Sequence, residues 1–175
     1  MIDHYLIYVP HADDELINMA WFTFKENSTC VLVSGAENER TGKFKSVMEH
    51  LSKDYYLLPF HPDALLSYDK NFVYVEMKRA YFKLKESLKK NSIVGLVLPS
   101  VFDTHPEHTL ITAMGSRIAL IERTPITYTS SRHVEEHEVV IPNKFHMIEY
   151  YYPEEFKSLI QTNYGLDTRE YHSDE

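Results

Sequence analysis

Apolar and polar positions alternate in blocks along this chain. Residues 4–9, 29–34, 55–60 and 93–98 are short, mostly apolar runs of strand length. Between them hydrophobic residues recur at helical spacing: Phe44, Val47, Met48 and Leu51 fall on one face of a helix predicted over 39–52. The pattern predicts further helices over 13–26, opened by acidic residues that suit the positive end of the helix dipole, and over 71–90, whose last turns are rich in lysine. Another, over 106–122, carries Pro106 in its first turn, where a missing N–H costs nothing.

After Pro125 the pattern changes. Residues 126–129, 138–141 and 146–152 read as short β-like runs, the last an edge strand with alternate tyrosines of Tyr150, Tyr151 and Tyr152 packed inward. Pro153 opens a last helix to about residue 164, and residues 166–175 read as a polar tail. Five strand–helix alternations predict an α/β protein: a three-layer, Rossmann-like, mostly parallel twisted sheet with helices on both faces and short β additions in the C-terminal third. No repeat or linker divides residues 1–165, which read as one domain.

Composition narrows this. A chain of 175 residues with 43% hydrophobic content suffices for one full core. A net charge of −8 argues against a nucleic-acid polymer as partner, although a single modified nucleotide stays open as a substrate. The lone Cys30, inside an apolar run, permits no internal disulfide and reads as a small buried hydrophobe. With no secretory leader pattern and no membrane-length run, the expectation is a cytoplasmic protein that makes no membrane contact, with a homo-oligomer left open.

The chemistry gathers at two strand ends. Pro10-His11-Ala12-Asp13-Asp14-Glu15 follows the first apolar run, and His105-Pro106-Glu107-His108 follows the fourth. An open α/β sheet binds its ligands at the C-terminal ends of its strands. Two imidazoles and a carboxylate are a ligand set zinc uses in catalysis, with a fourth position for water; iron and manganese tolerate it too. His11, Asp14 and His108 are therefore the expected metal ligands and Asp13 the general base. His105 would donate to a developing oxyanion. Taken alone, Asp13-Asp14-Glu15 is an ordinary helix-start charge cluster. The agreement of two separate clusters in strand position and residue type favours the metal.

These residues resemble the PIG-L/LmbE family of zinc-dependent N-acetylglucosamine deacetylases, whose signature is His-Pro-Asp-Asp-Glu with a later His-Pro-Asp-His. The likeness runs in order through Ser34-Gly35-Ala36-Glu37, Arg40 and Leu51, and His61-Pro62-Asp63, covering roughly residues 3–122. It implies that His11, Asp14 and His108 hold Zn2+, that Asp13 and His105 are catalytic, and that Arg40 and Asp63 bind substrate. The implied activity is hydrolysis of the N-acetyl group of an amino sugar or sugar conjugate by zinc-activated water. Ala12 departs from the family's proline, Glu107 from its aspartate and Lys43 from a glutamate, and Asn18-Met19-Ala20-Trp21 replaces a glycine-rich helix start. Two alternatives follow from these changes: an amidase for another N-acylated small molecule such as a modified nucleoside, and a metal-binding protein without turnover.

Overall fold

The computed structural model of the protein describes residues 1–130, 137–140, 143–162 and 169–174. In chain order its strands are β1 (His4–Val9), β2 (Ser28–Leu32), β3 (Tyr55–Leu57), β4 (Val94–Pro99), β5 (Ile126–Ser130), β6 (His137–Val140) and β7 (Arg169–Asp174). Its helices are α1 (Asp14–Ile17), α2 (Ala20–Thr23), α3 (Glu39–His50), α4 (Lys70–Ser87), α5 (Pro106–Glu122), α6 (Lys144–Tyr151) and α7 (Pro153–Thr162).

Among the described residues one sheet carries seven strands in the order β3-β2-β1-β4-β5-β7-β6. β1 is central among the parallel strands: Ile7 lies opposite Cys30 of β2 on one side and Val97 of β4 on the other. β3 and β5 extend this parallel core outward. The chain winds one way through β2 and β3, then returns to place β4 on the other side of β1. That reversal is the switch point at which such sheets open a crevice beyond their strand ends.

The strands read as continuous apolar runs because both faces are covered. Leu6, Tyr8, Val31, Leu96 and Leu98 pack with Val73, Met77, Leu84, Ile111 and Ile118 of α4 and α5. Ile7, Val9, Cys30, Leu32 and Val97 pack on the opposite face with Leu16, Phe22, Phe44, Val47, Ile148 and Leu159, from α1, α2, α3, α6 and α7. The expected three-layer α/β architecture is thus present. Gly115 allows α5 to lie close on β4, since a Cβ there would stand 2.3 Å from Leu98 Cδ2. The same helix carries His108 in its first turns.

Four local expectations are corrected. The helix predicted over 13–26 is two short helices, because Asp14 O accepts from both Asn18 N and Met19 N and Met19 leaves helical geometry at φ −130°. The third strand stops at Leu57 rather than 60, since Pro59 has no N–H for the ladder and makes only an isolated bridge with Ser34. Residues 146–152 are not an edge strand but helix α6 and its C-cap Tyr152: Lys144, Ile148 and Tyr152, four apart, all face the interior. Within the tail, Arg169–Asp174 form β7, paired antiparallel with β5 and β6, because backbone ladder bonds do not require apolar side chains. Among the described residues no helix is long and apolar enough to cross a membrane.

Candidate functional site

β1 ends at Val9, and the turn that follows carries His11, Asp13 and Asp14 into the crevice at the switch point. β4 ends at Pro99 beside it, and the loop from Ser100 delivers Asp103, His105 and the start of α5 with His108. His105 is the N-cap of α5, its Nδ1 accepting from Glu107 N at 3.3 Å, with Pro106 just inside the helix. All seven residues expected in the site, His11, Asp13, Asp14, Arg40, Asp63, His105 and His108, line one cavity of about 550 Å3.

At its base three atoms converge. His11 Nδ1 lies 3.2 Å from His108 Nε2 and 3.4 Å from Asp14 Oδ2, and His108 Nε2 lies 3.2 Å from the same Asp14 oxygen. Each ring's other nitrogen is already engaged by a carboxylate: His11 Nε2 by Glu107 Oε2 at 2.5 Å, and His108 Nδ1 by Asp103 Oδ2 at 2.7 Å. With those nitrogens donating, the two rings in their neutral form and the Asp14 carboxylate can turn three lone pairs toward one point. Tetrahedral bonds of about 2.0–2.1 Å would set neighbouring ligand atoms roughly 3.3 Å apart, close to this triangle. Carboxylates behind both imidazoles are the usual support of metal-ligating histidines. The donor set fits a divalent cation. Two other groupings bring ligand atoms within 4.8 Å of one another, His11 with His105 and His108, and His11 with Asp63 and Glu107; in the second both Glu107 oxygens are engaged, by His11 and by Leu65 N.

The electrostatics follow the geometry. Burial opposes charge on His108, yet Asp14 and Asp103 raise its pKa to about 11. Burial likewise opposes charge on His11, and contacts with Asp14 and Glu107 raise it. Asp14, despite burial, is held well below the usual carboxylate range by the two histidines. Its neighbour Asp13 goes the other way: burial and the adjacent Asp14 charge raise it strongly, with Arg40 only partly offsetting them. Without a cation, a proton shared with these imidazoles balances the site; with one, that proton must leave. His105, on the exposed rim, is lowered by partial burial and by the nearby rings of His108 and His11, whose centroids lie 4.6 and 5.0 Å away.

Asp13 holds an unusual backbone, φ 126° and ψ −32°, which costs a residue with a side chain about 1–3 kcal/mol. Its carboxylate does not cap α1 but turns to Arg40, whose Nη2 donates to Asp13 Oδ2 at 2.6 Å and to Ala12 O at 3.0 Å. Arg40 lies in the first turn of α3, with its Nε 3.4 Å from Glu155 Oε1 of α7. Glu155 thus supplies the acidic neighbour that Lys43 does not. Asp63, in a left-handed turn at φ 60°, faces the cavity near His11 and Glu107.

Sequence reasoning gave no role to Asp103 or Glu107, the carboxylates behind the histidines, nor to Asn18, whose Nδ2 donates to Asp14 Oδ1 at 2.6 Å. The signal for the first two was local: both acidic residues closely precede His108, Asp103 in the β4–α5 loop and Glu107 in the first turn of α5. No local signal pointed to Glu155, Ser158 and Leu159, which α7 contributes to the cavity wall. Other histidines stand apart. His61 is exposed, His146 lines a separate surface hollow with His50 and Tyr150, and His133 lies outside the described residues.

No protein-family model and no curated protein matches this sequence. Its fold is nevertheless shared with solved structures. The A40926 pseudoaglycone deacetylase Dbv21 superposes with a TM-score of 0.66 at 11% identity, over 95% of this chain and 88% of that one. The N,N'-diacetylchitobiose deacetylase of Pyrococcus horikoshii gives 0.63 at 15% identity, over 99% and 84%. A zinc-inhibited form of the teicoplanin deacetylase Orf2 gives 0.61 at 12% identity, over 91% and 86%. At such identities the likeness establishes the α/β fold, and activity has to be argued from the site.

Proposed function

We propose that this protein is a metal-dependent deacetylase of the PIG-L/LmbE type, hydrolysing the N-acetyl group of an amino sugar or sugar conjugate. The observation that carries this reading is the buried triangle of His11 Nδ1, Asp14 Oδ2 and His108 Nε2, three potential ligand atoms within 3.4 Å of one another. The fold is also that of deacetylases acting on diacetylchitobiose and on A40926 pseudoaglycone.

A divalent cation held by these three residues would supply Lewis acidity and lower the pKa of a water toward neutrality. The rest falls to the chain's own groups. Asp13 takes the proton of the attacking water and passes it to the leaving amine. His105, whose Nδ1 accepts a backbone N–H, has Nε2–H left to donate to the carbonyl oxygen as charge develops there. Arg40 holds Asp13 in place, and Asp63 accepts from a substrate hydroxyl. A volume of about 550 Å3 suits a small glycoside or a short conjugate.

Zinc is the expected ion for two imidazoles and a carboxylate, with iron and manganese as rivals. That a deacetylase of the same fold has a zinc-inhibited form makes metal identity a quantity to measure. A cytoplasmic site of action and small-molecule partners complete the reading. A second substrate class, acetylated nucleosides, is favoured by Ile17 and Asn18 in the cavity wall, where the helix start is bulkier than expected.

The test is acetate release from N-acetylglucosamine, diacetylchitobiose and an acetylated nucleoside after loading with each metal. Asp13→Ala should retain the cation and lose about two to four orders of magnitude in rate. Turnover near the wild-type value in that variant would remove Asp13 from the mechanism. Preference for the nucleoside would overturn the sugar assignment, and tight zinc binding with no hydrolysis would leave a binding protein.

A further inference from the structure

Asp13 is tied down on every side. Its N–H donates to Glu15 Oε2 at 2.8 Å, its carbonyl accepts from Leu16 N and Ile17 N at 2.9 Å, and its carboxylate accepts from Arg40. Two of these ties continue to one remote place. The Tyr152 hydroxyl donates to Glu15 Oε1, joining residues 137 apart in sequence. Glu155 Oε1 approaches Arg40 Nε at 3.4 Å. Tyr152 and Glu155 are three residues apart where α6 gives way to α7. Glu15 and Tyr152 are both fully buried, and Tyr152 is the C-cap of α6.

We propose that the α6–α7 corner is a two-pronged positioning device for Asp13. Tyr152 acts through Glu15 on the Asp13 backbone, and Glu155 acts through Arg40 on its carboxylate. The inference rests on the reading of Asp13 as the proton-transfer group. It explains why a fully buried carboxylate and phenol occupy this spot. Such a pair is weak evidence for stability, since apolar residues of similar volume often serve as well. It does fix a donor and an acceptor in one arrangement. A backbone conformation rarely adopted by a residue with a side chain persists only where its surroundings over-determine it, and here each polar group of Asp13 has its own restraint. The prongs are unequal. The Tyr152–Glu15 hydrogen bond is buried, whereas among the described residues Arg40 Nε and Glu155 Oε2 have no hydrogen-bond partner, so the second prong holds more loosely.

The test compares Tyr152→Phe, Glu155→Gln and Glu155→Asp, alone and combined with Asp13→Asn. In the otherwise wild-type enzyme, Tyr152→Phe should lower kcat about tenfold or more with KM and metal content unchanged, because small displacements of a reacting group are costly. Glu155→Gln should lower kcat by about threefold and Glu155→Asp should recover part of that loss. Added to Asp13→Asn, neither Tyr152→Phe nor Glu155→Gln should reduce kcat further, since the residue they position is gone. Exchange of the Asp13 amide hydrogen, followed by NMR, should quicken about tenfold in Tyr152→Phe. Equal losses in both backgrounds, or unchanged protection of that amide, would overturn the device. If the wild-type protein releases no acetate, the deacetylase reading fails and the amide-exchange result decides the device alone. Should Tyr152→Phe not fold, Glu155→Gln in the two backgrounds carries the same decision.

Discussion

The base and the wall of the cavity are built to different standards. At the base, every group facing the proposed cation is braced from behind: His11 by Glu107, His108 by Asp103, Asp14 by Asn18. These braces are 2.5–2.7 Å long and come from Asn18 at the end of α1, Asp103 in the β4–α5 loop and Glu107 in the first turn of α5. The wall is looser. Asp63 sits on a turn, and α7 adds Ser158, Leu159 and Glu155, the last reaching Arg40 only at 3.4 Å. A rigid base beside a looser wall lets the chemistry stay fixed while the accepted substrate changes with a few side chains.

The sharpest way to break this contrast is at the base. His108→Ala should abolish stoichiometric metal binding and lower acetamide hydrolysis by about a thousandfold or more, checked by elemental analysis and acetate release. Retained metal would show that the triangle is not the ligand set. One layer back, Asp103→Asn should weaken metal affinity by about 10–100-fold while leaving the fold intact, measured by chelator competition. Full affinity in that variant would reduce the brace to packing.

Acidity sharpens the same point. His108 is raised to about 11 by Asp14 and Asp103 against the cost of burial, so in the cation-free protein its ring holds a proton at neutral pH. Metal must displace that proton, and apparent affinity should rise about tenfold per pH unit around neutrality. For the cation-free protein the sign is the reverse. A raised folded pKa stabilises fully below the ring's ordinary value of 6.5, and this stabilisation drains as pH climbs toward about 11. Melting of chelator-treated protein should therefore fall between pH about 7 and 10, and a rise would contradict the assignment. The smallest effect belongs to the wall. Leu159→Ala should change KM by a few-fold and shift substrate preference with kcat on the best substrate nearly preserved, read from steady-state kinetics.

Much of this was legible in the sequence, and for identifiable reasons. The buried strands β1, β2 and β4 declare themselves because both faces are covered, leaving no polar alternation to confuse the reading. Helix α5 matches its predicted limits because Pro106 marks its start. His11, Asp14 and His108 could be paired across the sheet because each follows an apolar run. The failures have equally local causes. The two turns after Asp13 are buried nearly all round and show no stripe. The tyrosines at 150–152 carry strand propensity, and it overshadowed the four-residue spacing of Lys144, Ile148 and Tyr152. Glu155 and Tyr152 could not be assigned from sequence because their partners, Arg40 and Glu15, lie more than a hundred residues away in the chain.

The separation of His11 from His108, 97 positions along the backbone, has a mechanical meaning as well. Any ion gripped by both side chains works as a removable clasp across the middle of the sheet, shutting a large loop of polypeptide that would otherwise be free to open. Closing a loop of that size restricts the unfolded chain far more than joining near neighbours would. Loaded protein should consequently resist heat and protease better than stripped protein, and by a margin that grows with ion concentration.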